Sequence, residues 1–183
     1  SDHKIDAGFK VSIKKGIPLG SGMGGSAAST VAALVALNEF LHTPLSREAL
    51  IPYAMYGESV ACGHAHPDNV VPCLLGGLTL VRSTSPLDVI RLPTPDLWCA
   101  LVNPAIRIDT RESRAILPVD VPLKAAVEQS SNLAAFIVGL YENNHAMLRS
   151  CLRDVLIEPY RSSLVTGFDD AQRIAMNQGA LGC

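Results

Sequence analysis

The residues of this chain best suited to chemistry form a glycine- and serine-rich run, PLGSGMGGSAAS, at positions 18–29. An alternating apolar and polar stretch at 9–14 precedes the run, and a segment rich in Ala and Leu at 27–41 follows it. The first pattern predicts a half-buried strand and the second a buried helix. A glycine-rich turn that opens a helix presents backbone N–H groups at the positive end of the helix dipole. The run therefore predicts a binding site for phosphate groups.

Other interpretations of the run fit it less well. A Walker-type loop needs a Lys followed by Ser or Thr at the start of the helix, where this chain has two alanines. Gly20, Gly22 and Gly25 have the spacing of a dinucleotide-binding loop. The ribose-binding acid of that fold should end a second strand, whereas the candidate here, Glu39, lies inside the predicted helix. A tight turn whose glycines only supply positive φ angles is the remaining alternative.

A second cluster, CGHAHPDN at 62–69, combines cysteine, histidine and acidic side chains. On an extended strand Cys62, His64, His66 and Asp68 would share one face and could ligate a transition metal. The glycine and the proline in this segment disfavour a regular strand. Two further interpretations remain, a polar loop with local hydrogen bonds and a loop that contacts a substrate.

The glycine-rich run resembles the P-x-x-x-G-L-G-S-S-A-A motif of the kinases named after galactokinase, homoserine kinase, mevalonate kinase and phosphomevalonate kinase (GHMP kinases). The matching positions are Pro18, Gly22, Gly24, Ser26, Ala27 and Ala28. Met23 replaces the usual Leu, and Gly25 replaces the first of two serines. The resemblance implies a loop that wraps the phosphates of ATP and a Ser26 that reaches Mg²⁺. The implied ATP-binding residues are Pro18, Leu19, Gly20, Ser21, Gly22, Met23, Gly24, Gly25 and Ser26.

Within this superfamily the resemblance is to the homoserine kinases, and it covers essentially the whole chain. Glu58 precedes the sequence HPDNVVPCLLGG at 66–77, as a magnesium-binding Glu precedes an H-x-D-N loop in those enzymes. Other segments that resemble them are Asn103-Pro104, Thr110 with Arg114, Ser131–Phe136 and Glu158–Arg161. The resemblance implies that ATP phosphorylates the hydroxyl group of L-homoserine, giving O-phospho-L-homoserine for threonine biosynthesis.

The implied catalytic residues are Glu58 and Asn69, with Ser26 and Glu58 as the ligands of Mg²⁺. Asn69 occupies the position where mevalonate kinase-like relatives carry an aspartate base. An amide does not accept a proton near pH 7, so Asn69 cannot be a general base. We therefore expect direct attack of the substrate hydroxyl on the γ-phosphate, with Mg²⁺ and the loop dipoles stabilising the transition state. Asp68 is a rival base one residue away.

The implied substrate-binding residues are His66, Asn69, Thr110, Arg114 and Arg161. A guanidinium group suits the α-carboxylate of an amino acid because it can form a bidentate pair. Two alternatives remain open, another GHMP kinase of mevalonate type and a silent nucleotide- or ligand-binding sensor with the same fold. The two arginines and Asn69 disfavour the first, and the retained magnesium ligands disfavour the second.

Composition narrows the class of protein further. The chain has 183 residues, 48% of them hydrophobic, and a net charge of −2 without a basic run, which disfavours nucleic acid and anionic membranes as partners. No apolar stretch is long enough to span a membrane. Five cysteines without a C-x-x-C pair are typical of a reducing compartment, so we expect a cytoplasmic enzyme with mostly core-filling thiols. A homodimer is an open question.

The order of the predicted elements indicates a two-layer α+β protein. Besides 9–14, strands are predicted at 78–82 and 98–102; besides 27–41, helices are predicted at 46–61, 110–117, 122–141, 145–154 and 168–178. The resemblance implies a GHMP-kinase-like fold with βαβ features like those of ribosomal protein S5, followed by a mostly helical α/β part. We expect residues 1–104 to belong to the nucleotide-binding domain and 105–183 to begin the C-terminal domain. Both ends look truncated, which predicts an internal fragment of a chain of roughly 300 residues.

Overall fold

The computed structural model describes residues 8–18, 21–63, 65, 67–104, 106 and 110–183. The chain forms two compact units, Ser1–Arg91 and Leu92–Cys183. This division precedes the predicted boundary between residues 104 and 105, and the assignment of two functional domains to those ranges stays a prediction.

Helices dominate the described residues. They are α1 (Gly25–Asn38), α2 (Arg47–Cys62), α3 (Pro67–Leu75), α4 (Thr110–Ala115), α5 (Leu123–Tyr141), α6 (His145–Cys151), α7 (Glu158–Arg161) and α8 (Phe168–Asn177), with a 3₁₀ turn at Ser162–Leu164. The strands β1 (Leu78–Thr84) and β2 (Leu87–Leu92) form a two-stranded sheet. No helix of this described part is long and apolar enough to cross a membrane.

The first unit is built around the packing of α1, α2 and α3, with β1 against α3. Its buried apolar side chains are Ala27, Val31, Leu50, Ile51, Ala54, Val70, Val71 and Leu74. Each helix contributes residues spaced three or four apart, so one face of each helix points into a shared core. This core fixes the beginnings of α1 and α3, where the predicted phosphate and substrate residues lie.

Asn38 ties the end of α1 to the chain that leads into α2. It is 7% exposed, and its amide accepts a hydrogen bond from the backbone nitrogen of Leu45 (2.9 Å) and donates one to the Leu45 carbonyl (3.0 Å). The predicted N-cap of α2 is confirmed, because the Ser46 side chain accepts from the backbone nitrogen of Ala49 at 3.2 Å. Side-chain hydrogen bonds therefore hold the connection between the two helices in place.

The second unit has its own small core where α5 packs against α6. A Cβ at Gly139 would lie 3.0 Å from Cδ2 of Leu148, so the glycine allows close contact of the two helices. Leu140, Leu148 and Cys151 are buried there. Burial raises the pKa of the Cys151 thiol, while a backbone hydrogen bond acts in the opposite direction. The expectation of core-filling thiols is wrong for the three other cysteines with described side chains, which are exposed: Cys73, Cys99 and Cys183.

Two predicted strands are wrong. Residues 9–14 and 98–102 are irregular, and apolar side chains within them are exposed, Val11 by 60% and Trp98 by 99%. A strand needs a neighbouring backbone to complete its hydrogen bonds. In the described part of the chain only β1 and β2 pair with each other. Alternation in sequence predicts which side chains share a face, but it does not supply a partner strand.

The cluster at 62–69, for which the sequence left two loop interpretations open, ends in a helix, because α3 begins at Pro67. Proline at the first helical position and an acidic residue in the first turn are the usual start of a helix, and Pro67 and Asp68 provide both. Cys62 ends α2 and Asp68 lies in α3, so the extended strand that would align four metal ligands is not formed. His64 and His66 lie outside the described residues.

We expect replacement of Asn38 by alanine to lower the free energy of unfolding by about 2 kcal/mol. The substitution removes two hydrogen bonds and leaves the backbone groups of Leu45 without these partners. Urea denaturation followed by circular dichroism measures the change. Asn177, an exposed residue at the end of α8, is the matched control, and N177A should change stability by less than about 0.5 kcal/mol. Equal midpoints for the two variants would contradict the assigned role of Asn38.

Candidate functional site

The glycine-rich run forms a turn directly before α1. Gly22 and Gly24 have positive φ angles of 72° and 67°, and Gly24 is the N-cap of the helix. No side chain caps the helix at Gly24, and its first turn holds no acidic residue. Because the first N–H groups of a helix have no intrahelical partner, this start of α1 suits an anion. Leu19 and Gly20 lie outside the described residues.

Asn69, at the start of α3, lies against this turn. A Cβ on Gly24 would be 2.9 Å from Oδ1 of Asn69, closer than side-chain atoms tolerate. Gly24 is therefore required both by its backbone angle and by its neighbour. The structure brings together Gly24 and Asn69, which the sequence assigned to ATP and to the substrate. Asp68, the rival base, is exposed.

Glu58 is a buried acid of the first unit. It lies in α2 and is 3% exposed, and its Oε2 is buried without a hydrogen-bond partner. One residue earlier, a Cβ on Gly57 would lie 2.7 Å from Cγ2 of Thr30, so α1 and α2 approach each other closely at this point. The fold thus buries an acidic side chain next to the point where α1 and α2 meet.

Ser21, in the glycine-rich turn, has a hydroxyl that is also buried without a partner. Within the described residues, Ser21 Oγ and Glu58 Oε2 are the only side-chain nitrogen or oxygen atoms in this state. Leaving such an atom unpaired costs about 1–3 kcal/mol, and more for a charge. Both atoms belong to residues that the sequence assigned to ATP or Mg²⁺.

The donor set fits magnesium. Mg²⁺ prefers oxygen ligands, takes one or two carboxylates and shares the rest of its shell with water and phosphate. Glu58 supplies a buried carboxylate oxygen that no protein group satisfies. Ser26 lies in the first turn of α1, and its pairing with Glu58 at one ion stays a prediction. The described residues contain no group of three His, Cys, Asp or Glu side chains that could hold a metal by themselves.

In the second unit the two predicted carboxylate-binding arginines are linked through the backbone. Arg161 ends α7, and its Nε donates a hydrogen bond of 2.9 Å to the carbonyl oxygen of Ser113. Ser113 directly precedes Arg114, which lies exposed in the last turn of α4. Thr110 begins α4, and His66 is outside the described residues. No sequence pattern predicts this link, because Arg161 and Ser113 lie 48 positions apart.

Comparison with known proteins identifies relatives over most of the chain. Residues 1–77 match the family of GHMP kinases N terminal domains. The chain is 46% identical over 172 residues to a homoserine kinase of Chlorobium phaeobacteroides strain DSM 266, covering 93% of this chain and 54% of that protein. It is 45% identical over 182 residues to the homoserine kinase of Xylella fastidiosa strain M12, covering 99% of this chain and 56% of that protein.

The crystal structure of homoserine kinase from Cytophaga hutchinsonii is similar, with a TM-score of 0.86 and 44% identity over 92% of this chain and 54% of that one. The chain thus spans about half the length of these relatives. The predicted resemblance and the GHMP kinase fold are confirmed. The layering like that of ribosomal protein S5 stays a prediction.

We expect Gly24→Ala to destabilise the protein more than Gly22→Ala does. Both glycines have left-handed backbone angles, which cost a residue with a Cβ about 1–2 kcal/mol. Only at Gly24 does the new Cβ also meet Asn69, whereas no atom lies within 4 Å of one at Gly22. Thermal denaturation of both variants measures the difference.

The contact with Asn69 can be tested by removing it. Replacing Asn69 by alanine in the G24A variant should bring its midpoint up to that of G22A. If the excess destabilisation of G24A persists without the Asn69 side chain, the contact is not its cause.

Proposed function

Because the chain belongs to the GHMP kinase superfamily, we propose that it carries the phosphate loop and substrate-binding residues of an ATP-dependent homoserine kinase. The single observation that supports this most is the pair of buried, unpartnered oxygens, Glu58 Oε2 and Ser21 Oγ. A fold keeps such costly atoms where a ligand completes their interactions. A metal–phosphate group supplies both kinds of partner, a cation for the carboxylate and an acceptor for the hydroxyl.

The phosphates of ATP would bind at the start of α1. Glycines at 22 and 24 let the backbone turn and bring N–H groups to the ligand without side chains in the way. The Ser21 hydroxyl donates to a phosphate oxygen in this arrangement. Gly25 lacks the hydroxyl that relatives carry there, so the loop relies more on backbone donors.

Glu58 and Ser26 would hold Mg²⁺ beside these phosphates. An ion held by these residues would neutralise negative charge that develops during phosphoryl transfer. Glu58 contributes by holding its carboxyl group buried at a fixed point of α2. A negative charge buried in this way is stabilised by a cation, which makes the retained acid useful in a nucleotide site.

The acceptor would be L-homoserine, whose carboxylate binds to Arg114 and Arg161. His66 and Thr110 would orient the amino acid. Asn69 would hydrogen-bond to the hydroxyl at the reacting end, close to the glycine turn that it contacts. Its amide cannot take up the proton, so the hydroxyl attacks the γ-phosphorus directly while the bond from that phosphorus to ADP breaks. The hydroxyl proton leaves late, to the transferred phosphate itself.

The product is then O-phospho-L-homoserine, an intermediate of threonine biosynthesis. We assign the reaction to the cytoplasm, because free thiols at Cys73, Cys99, Cys151 and Cys183 suit a reducing compartment.

A coupled assay of ADP release tests this function on the full-length protein, with L-homoserine, mevalonate or no acceptor offered in parallel. We expect turnover that depends on homoserine. Turnover with mevalonate instead would assign another GHMP activity. Binding of Mg-ATP without turnover on either acceptor would contradict the homoserine assignment. Absence of nucleotide binding would contradict the kinase itself and favour a sensor.

We expect Glu58→Gln to lower kcat by roughly 100-fold or more without loss of thermal stability. The amide keeps the shape of the side chain, removes a buried charge and weakens the attraction for Mg²⁺. Kinase assays over a range of Mg²⁺ concentrations, together with thermal denaturation, measure both effects. Glu48→Gln is the control, since Glu48 is exposed and pairs with Arg91 at 2.9 Å at the surface. Unchanged kcat and Mg²⁺ dependence in E58Q would remove Glu58 from the magnesium site.

A further inference from the structure

Arg161 makes a contact that binding of a substrate carboxylate does not require. Its Nε donates a hydrogen bond of 2.9 Å to the carbonyl oxygen of Ser113. This carbonyl belongs to the peptide unit that joins Ser113 to Arg114. The hydrogen bond therefore restrains the backbone from which the Arg114 side chain projects.

The same hydrogen bond stabilises the end of α4. This helix has six residues, fewer than a helix that is stable by itself in water. The last carbonyl groups of a helix lack the partners that a following turn would supply. Basic side chains near a helix C-terminus commonly satisfy such carbonyls. Arg161 does so here from a distant part of the sequence.

The geometry also limits how Arg161 can hold a carboxylate. A guanidinium group has five N–H donors, one on Nε and four on the two Nη atoms. With Nε bonded to Ser113, a bidentate pair with a carboxylate uses the Nη1–Nη2 end of the fork. One side chain can thus bind the ligand and restrain the neighbouring arginine at the same time.

We propose that Arg161 is a positioning residue for Arg114, and that the two arginines act as one unit that recognises an α-carboxylate. The positioning role depends on the hydrogen bond to Ser113, whereas recognition of the carboxylate rests on the proposed function. The two parts can therefore be tested separately.

Three substitutions separate the hydrogen-bond donor of Arg161 from its charge. In glutamine, Nε2 is as many bonds from Cα as Nε is in arginine, so R161Q keeps the donor and loses the charge. Lysine has a methylene group at that point and carries both its charge and its N–H donors one atom further out, so R161K keeps the charge but displaces the donor. Methionine has a methyl group there, so R161M loses both.

Hydrogen–deuterium exchange at residues 113–117 of the full-length protein without ligands measures the positioning role. We expect exchange about 10-fold faster in R161M, because the end of α4 opens more often, and a smaller increase in R161K, whose displaced ammonium group can still donate. R161Q should exchange at a rate close to that of the unmodified protein. Equal rates in R161Q and R161M, or no change in any variant, would overturn the proposal. This readout is independent of kinase activity.

Kinetics then test whether the two arginines act as one unit. R161K should raise the KM for homoserine about 10-fold in the unmodified protein but far less in the R114A variant, with little change in the KM for ATP. Equal effects of R161K in both backgrounds would show that the arginines act independently. A further outcome is that the exchange rates depend on the donor at position 161 as expected, while neither the unmodified protein nor any variant phosphorylates homoserine. In that case the positioning role stands and the proposed function fails.

Discussion

Close contact between helices at two glycines is the constraint on which the first unit depends. At Gly57 the missing side chain lets α2 approach Thr30 of α1, and at Gly24 it lets Asn69 of α3 approach the turn before α1. These contacts set how the three helices meet. They place a buried acid, an amide and the positive end of a helix dipole within one compact unit. A loop alone could not hold these groups in fixed positions, because each comes from a different helix.

The buried acid shows how stability and chemistry oppose each other in this fold. The core residues that surround α2 exclude water, which strengthens packing and also makes an unpaired carboxylate costly. In surroundings of low polarity, a carboxylate also attracts a cation more strongly. Glu58 Oε2 and Ser21 Oγ thus lack hydrogen-bond partners within the protein, and a bound ligand could supply them.

Sequence patterns predicted the elements that are specified by residues close together in the chain. The helices α1, α2 and α5, the cap at Ser46 and the strand β1 follow from periodicity and end signals. The predicted strands at 9–14 and 98–102 failed because pairing depends on distant backbone. The identities of the site residues came from the resemblance. Two features could not be predicted, the burial of the Ser21 hydroxyl and the hydrogen bond between Arg161 and Ser113. Both arise from packing between segments far apart in the chain.

The contact at Gly57 also restricts the order in which substitutions can accumulate during evolution. The methyl group of Thr30 occupies the place that a side chain at position 57 would need. A lineage that first replaces Thr30 by serine removes this methyl group, and a small residue at 57 then becomes acceptable. In the reverse order, the intermediate places its new Cβ against the Thr30 methyl group, at the contact of α1 with α2. Residues 30 and 57 should therefore change together among distant relatives. The loss of the methyl group at position 30 should precede the gain of a side chain at position 57.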